Sequence, residues 1–217
     1  AVLEEAPPVV LPPAAPARSA ELLPLSAHSD AALKAQAARL HAHLQRHPEQ
    51  RLADIAYNLA HTRSSLACRI AIAAASPADL RAQLEGAAHG LLQAGVVRGR
   101  ADSGAPPKVV FVFPGQGSQW LGMGRGLLAE EPVFREALTA CDEAIAAEAG
   151  FSVLVELAAD EASSRLHQID VVQPVLFALA VALAALWRSW GVEPAVVVGH
   201  SLGEVAAAQV AGALSME

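Results

Sequence analysis

Residues 199–203 read Gly-His-Ser-Leu-Gly and fit the pattern G-x-S-x-G. A wholly apolar run, Val196, Val197 and Val198, leads into them, and a small-residue helical pattern follows Gly203. A buried strand that turns into a helix this abruptly has no room for side chains two positions either side of the serine. Gly199 and Gly203 meet that demand, and the turn pushes the Ser201 hydroxyl out at the carboxyl end of the strand. The helix that follows aims its free N–H groups and its dipole at the same spot, where they favour a developing oxyanion. The chemistry implied is attack of a serine hydroxyl on a carbonyl carbon. Glycine and serine also build ordinary turns, and it is the strand before and helix after that favour a nucleophile.

A second glycine-rich stretch stands earlier. Residues 108–113, Lys-Val-Val-Phe-Val-Phe, form an apolar run of the kind buried in a parallel sheet. They enter residues 114–126, Pro-Gly-Gln-Gly-Ser-Gln-Trp-Leu-Gly-Met-Gly-Arg-Gly. A phosphate-cradling loop would need G-K-[S/T] or a completed G-x-G-x-x-G, and Trp120 occupies the place of the third glycine. In G-x-S-x-G enzymes, a loop after an earlier strand supplies one oxyanion N–H, and the residue after the nucleophile supplies the other. Gln116 and Leu202 fit those two roles. Taken alone, the loop also reads as a plain strand–helix connection; its pairing with Ser201 favours the site.

The elements that position these residues belong to a chain of 217 residues, enough for one large domain or two small ones with a real core. Hydrophobic residues make up 53%, mostly Ala, Val and Leu, which suits a packed helical or α/β protein and excludes a disordered one. A net charge of −7 implies no basic surface for nucleic acid. The longest apolar run, residues 174–187, is too short to span a bilayer and reads as a core helix. No basic start or long apolar leader marks a signal peptide. Cys68 and Cys141 fall on apolar faces and read as buried free thiols. The chain lacks an initiator Met and stops at Met216 and Glu217 within an apolar pattern, as expected of a piece of a longer polypeptide.

Residues 4–20 carry Pro7, Pro8, Pro12, Pro13 and Pro16 and read as an extended linker. An edge strand at 22–26, demoted by Pro24, is followed by a helix from Ser29 with Leu33, Ala37, Leu40 and Leu44 on one face, ended by Pro48. A short helix carries Leu52, Ile55 and Leu59; a strand at 68–73 points Cys68, Ile70 and Ile72 to one side. Ser76, Pro77 and Asp79 start another helix, whose face runs through Leu80, Leu84 and Leu91, and 95–99 forms a further edge strand. Residues 21–100 thus make a small α+β unit without an evident site. His43 and His47 have metal-pair spacing on a helix, with His41 nearby, but no third ligand accompanies them; no metal site is expected. Residues 101–107 read as a hinge. From Val109 onward the expected order is strand, helix, helix, strand, helix: one helix from Pro132 with Phe134, Leu138, Cys141 and Ile145 inward to Gly150, then the apolar helix from Pro174.

Residues 113–119, Phe-Pro-Gly-Gln-Gly-Ser-Gln, and 199–204, Gly-His-Ser-Leu-Gly-Glu, separated by Gln173 and Pro174, resemble the acyltransferase domain of modular type I polyketide synthases. Residues 21–100 look like the linker domain between ketosynthase and acyltransferase, and residues 1–6 like the last strand of the ketosynthase. The fold implied is α/β: residues 1–20 as ketosynthase end and Pro-rich linker, an α+β linker domain at 21–100, a hinge at 101–107, and the N-terminal portion of an α/β-hydrolase-like acyltransferase domain at 108–217.

The resemblance implies two half-reactions. Ser201 takes an extender unit from an acyl-CoA, then yields it to the phosphopantetheine thiol of an acyl carrier protein. The N–H groups of Gln116 and Leu202 form the oxyanion hole, and Gly199, His200 and Gly203 support the elbow; His200, adjacent to Ser201 in the chain, cannot easily serve as base. No cofactor binds this chain. The partners implied are the carrier protein and a ketosynthase on the same polypeptide, in a homodimeric cytoplasmic synthase, with no nucleic acid and no membrane. The family's base histidine and carboxylate-gripping arginine fall after position 217, so these residues alone are expected to be inactive. Ile169, Asp170, Val171, Val172 and Gln173 resemble the methylmalonyl-type pattern, and residues 205–208 agree, whereas Leu202 is closer to malonyl-type sequences. Methylmalonyl is therefore favoured over malonyl. Two other readings compete: a hydrolase (thioesterase or lipase) that delivers the acyl group to water, and a non-catalytic structural linker.

Overall fold

The computed structural model describes residues 18–91, 93–101 and 107–215. The expected ketosynthase end, nearly all of the Pro-rich linker, most of the hinge and the last two residues lie outside them. The chain divides into two compact units, Ala1–Ala105 and Pro106–Glu217.

The first unit is a three-stranded antiparallel sheet, β1 (Glu21–Ala27), β2 (Cys68–Ala74) and β3 (Val96–Arg100), ordered β1-β2-β3. The register pairs Leu23 with Ile72 and Leu25 with Ile70. With a side-chain period of two, this puts Leu23, Leu25, Cys68, Ile70 and Ile72 on one buried face. Pro24 withholds no needed N–H, because β1 is an edge. Helices α1 (Asp30–Arg46), α2 (Leu52–His61) and α3 (Pro77–His89) supply Leu33, Ala37, Leu44, Ile55, Leu80 and Leu84 to the same core. The hydroxyls of Ser29 and Ser76 cap α1 and α3 by accepting from the Ala32 and Asp79 amides. One expectation fails here: Leu91 is exposed, because left-handed Gly90 ends α3 at His89 and turns the chain before Leu91 could join the helical face. His43 and His47 stack with ring centres 4.4 Å apart, and among the described residues no three potential metal ligands gather.

The second unit is built on a parallel pair, β4 (Val109–Phe113) and β5 (Pro194–Gly199), with Phe113 opposite Gly199. Its helices are α4 (Arg125–Glu130), α5 (Pro132–Ala149), α6 (Val153–Ala158), α7 (Ile169–Ser189) and α8 (Leu202–Val210). The short helices α4 and α6 were not expected. The apolar helix also begins earlier than its proline suggests, at Ile169, leaving Pro174 inside it. The i, i+4, i+7 stripe of Val171, Val175, Ala178, Leu179, Ala182 and Leu186 runs through the proline, and burying it offsets the one lost hydrogen bond. At 21 residues α7 is long and apolar enough to cross a membrane, unlike the shorter apolar run expected at 174–187. Its core role rests on packing: nine of its residues are buried, and it packs on α5 and α8.

The strands are not enclosed as expected. Phe113 is buried, but Val110, Val112, Val196 and Val198 are exposed, so one face of the pair is open.

Cys68 and Cys141 are free and buried. Burial pushes the Cys141 thiol up to about 11. Unfolding restores its ordinary acidity, so the unfolded chain releases the proton first as pH rises. Stability is therefore expected to be intact below about pH 9 and to fall towards pH 11, by up to about 1.4 kcal/mol per pH unit from this group. Urea unfolding at pH 8 and pH 10.5 checks this, with Cys141→Ala as the variant in which the fall is reduced.

Candidate active site

The elbow is assembled where β4 and β5 end side by side. Gly199 closes β5, Ser201 caps α8, and the His200 amide donates to the Phe113 carbonyl at 3.0 Å, tying the turn to the end of β4. The His200 carbonyl in turn accepts from the Gly203 amide at 3.0 Å. The His200 backbone thus links the end of β4 to the first turn of α8.

Both elbow glycines are required by contact. A Cβ on Gly203 would lie 2.0 Å from the Phe113 oxygen, and one on Gly199 would lie 2.4 Å from the Glu204 Cα. Neither obstacle is a flexible side-chain tip. The close approach of α8 to the end of β4 exists because residue 203 has no side chain.

Ser201 has φ 56° and ψ −124°, the one positive φ outside glycine among the described residues. Such backbone costs about 1–3 kcal/mol and persists only where the surroundings impose it. Here the imposing contacts are the two glycine approaches and the His200 bond. The result is an exposed Ser201 at the N-terminus of α8.

The glycine-rich loop comes to the same place. A Cβ on Gly115 would lie 3.5 Å from Ser201 Cβ and 3.4 Å from His200 Nδ1, so Gly115 borders the serine and Gln116 follows it. Two side chains that the sequence did not single out shape the loop. Gln119 Oε1 accepts from the Gly117 amide at 2.9 Å, and Arg125, at the start of α4, donates to the Leu157 and Ala159 carbonyls at 2.8 and 2.6 Å. An arginine directly after a run of glycines was the available signal, but sequence does not name its acceptors. Among the described residues, neither the Gln116 nor the Leu202 amide donates a hydrogen bond.

Of the residues assigned to selectivity, Gln173 reaches the site: its Nε2 donates to Gln116 Oε1 at 3.1 Å. Val171 and Val172 are each 2% exposed, buried in α7 instead of presented at the surface. The segment before α7 is anchored by Arg165, whose Nε donates to Oε1 of the buried Glu156 at 2.8 Å. Beneath the loop lies a cavity of about 340 Å³, lined by Gly115, Ser118, Trp120, Met123, Phe134 and Leu179.

Comparison with known proteins follows the same division of the chain. Residues 110–217 match the family described as "Acyl transferase domain", and residues 21–84 match "CurL-like, PKS C-terminal". Polyketide synthase GfsA of Streptomyces halstedii is 49% identical over 197 residues, 89% of this chain and 3% of that protein. Erythronolide synthase EryA3 of Saccharopolyspora erythraea is 43% identical over 216 residues, 100% of this chain and 7% of that protein. Among solved structures, the acyltransferase domain from module 8 of the salinomycin polyketide synthase aligns with TM-score 0.82 at 41% identity, over 91% of this chain and 47% of that one. The acyltransferase domain of SpnD, in complex with 2-(pent-4-yn-1-yl)malonyl, aligns with TM-score 0.74 at 30% identity, over 92% and 46%. The chain therefore spans a small part of these synthases and about half of these acyltransferase chains.

Proposed function

This chain belongs to the acyltransferase domain family of modular type I polyketide synthases, joined to the family's linker unit, and from that premise we propose that Ser201 is the acyl-carrying nucleophile. The observation that carries the reading is the geometry at the elbow: an exposed serine in strained backbone, bordered by the glycine-rich loop and by the first residue of α8, with the Gln116 and Leu202 amides lacking an acceptor among the described residues. A thioester carbonyl seated on Ser201 would direct its oxygen to those amides.

In the first half-reaction, Ser201 Oγ attacks the thioester carbon of an acyl-CoA. The serine proton passes to a base, the C–S bond breaks, and coenzyme A leaves as the thiol after taking that proton. In the second, the phosphopantetheine thiol of an acyl carrier protein attacks the same carbon, its proton passes through the base to Ser201 Oγ as the C–O bond breaks, and the hydroxyl is restored. Each amide donor is worth about 3 kcal/mol of transition-state stabilisation in comparable sites. The base and the arginine that holds the extender's carboxylate are assigned to residues after 217. General-base assistance is worth roughly 10²–10⁴ in rate, so the 217-residue chain alone is expected to be inactive. Ketosynthase and carrier protein as partners, a homodimeric parent and a cytoplasmic setting belong to the same proposal, with residues 21–100 acting as spacer and docking surface.

The transfer reading is tested by intact mass on a complete domain containing this chain. An acyl adduct that persists in water and is discharged by a pantetheine thiol supports a transferase; prompt loss of the adduct to water would make it a hydrolase. For the extender we propose methylmalonyl. The α-substituted malonyl group bound to the SpnD domain supports room for a branch in this family. A methyl group is worth about 1–3 kcal/mol in a pocket, so a preference of roughly 10- to 200-fold is the ceiling. Competition between methylmalonyl-CoA and malonyl-CoA on the complete domain is expected to favour the former, and preferential loading of malonyl would reverse the assignment.

A further inference from the structure

We infer that Gln173 is a positioning residue: through its side-chain bond to Gln116 it holds the loop amide at position 116 against Ser201, and it sets the rate of acylation, not the choice of acyl group. This rests on the acyl-transfer reading above.

At this point the loop is otherwise weakly held. Gln116 stands between two glycines; Gly117 has φ +127°, and a Cβ there would meet nothing within 4 Å. The neighbouring Gly117 amide is already engaged by Gln119, and the Arg125 anchor acts at the far end of the loop. Gln116 itself is exposed, and among the described residues its backbone makes no hydrogen bond. The link from position 116 to a regular element is the 3.1 Å bond from Gln173, 57 residues away in the chain. The supporting end is rigid. Val171 and Val172, the two residues before Gln173, are buried, and Val175 two residues after it is buried too. One face of α7 is thus locked in the core while Gln173 reaches out to the loop.

An oxyanion donor is useful only while it stays within hydrogen-bond distance of the developing charge. Loss of the tether leaves the amide present but lets it wander. A neutral, exposed side-chain bond of this kind is worth about two- to tenfold in the population of the held loop. Because the bond joins two side chains and not the acyl group, its loss should slow all acyl donors alike.

The test uses a complete domain containing this chain, with methylmalonyl-CoA and malonyl-CoA as probes, and the variants Gln173→Ala, Gln116→Ala and both together. Gln116→Ala keeps the backbone N–H and removes only the tether. Each single variant is expected to lower the acylation kcat about two- to tenfold, with KM changed less than kcat and the ratio between the two donors unchanged. The double variant should be no slower than either single one, since both remove one bond. Hydrogen exchange of the 114–119 backbone should be faster in Gln173→Ala than in the unaltered domain. Multiplicative rate losses in the double variant, a changed donor ratio, or unchanged loop exchange would overturn the assignment. A domain that forms no adduct at all would instead overturn the acyl-transfer reading, while the exchange measurement would still judge the tether.

Discussion

Ser201→Ala in a complete domain is expected to abolish the acyl adduct seen by intact mass, with a rate loss of about 10³-fold or more, the size seen when a nucleophile is removed from comparable serine enzymes. The same site makes a second, opposite prediction about stability. Ser201 holds φ 56°, which alanine would share and glycine would not resent. Ser201→Gly should therefore be as inactive as Ser201→Ala, yet more stable than it by about 1–3 kcal/mol, read as a difference in urea midpoint. Equal stability of the two variants would mean that the backbone at the elbow stores no strain. An adduct retained in either variant would move the nucleophile elsewhere. The 217-residue chain, tested beside them, should give no adduct at rates normal for the family.

Gly203→Ala is expected to be the most damaging single methyl in the second unit. The added Cβ would sit 2.0 Å from the Phe113 oxygen and 2.7 Å from the Pro114 oxygen, both backbone atoms at the end of β4. Relief requires α8 to move away from the strand, which breaks the packing of Ala206, Ala207 and Val210 in the core. Forced backbone movement with loss of core contacts falls in the upper range of point-mutation costs, about 4 kcal/mol or more. Gly115→Ala is the control. Its Cβ would meet His200 and Ser201 at 3.4–3.5 Å, ordinary contact, so the chain should fold with near-normal stability. Thermal unfolding of the two variants separates these cases, and a Gly203→Ala protein as stable as Gly115→Ala would mean that the elbow is looser than the 2.0 Å approach implies.

Much of this site could be read from residue order because its demands are local. A small residue on each side of Ser201, an apolar run before it and a helical pattern after it are all set within about ten positions, and the structure puts strand, turn and helix there. Ser29, Ser76 and Gly150 likewise mark helix ends through their own chemistry. The failures come where distant residues decide. Pro174 looks like a helix start until the burial of Val171 and Val172 outweighs its missing N–H. The valines of β4 and β5 look enclosed, yet one face of the pair is open. Nothing in either motif says that Gln173 meets Gln116, because pairing across such a separation is a property of the folded chain.

The pairing of β4 with β5 also has a consequence for how the protein is made. Phe113 lies beside Gly199, so during synthesis the first strand leaves the ribosome long before its neighbour exists. Contacts between remote segments form late, since the intervening chain must be ordered first. The Ser201 hydroxyl therefore meets the end of β4 only after that long-range pairing forms, and a polypeptide made only as far as β4 has no elbow.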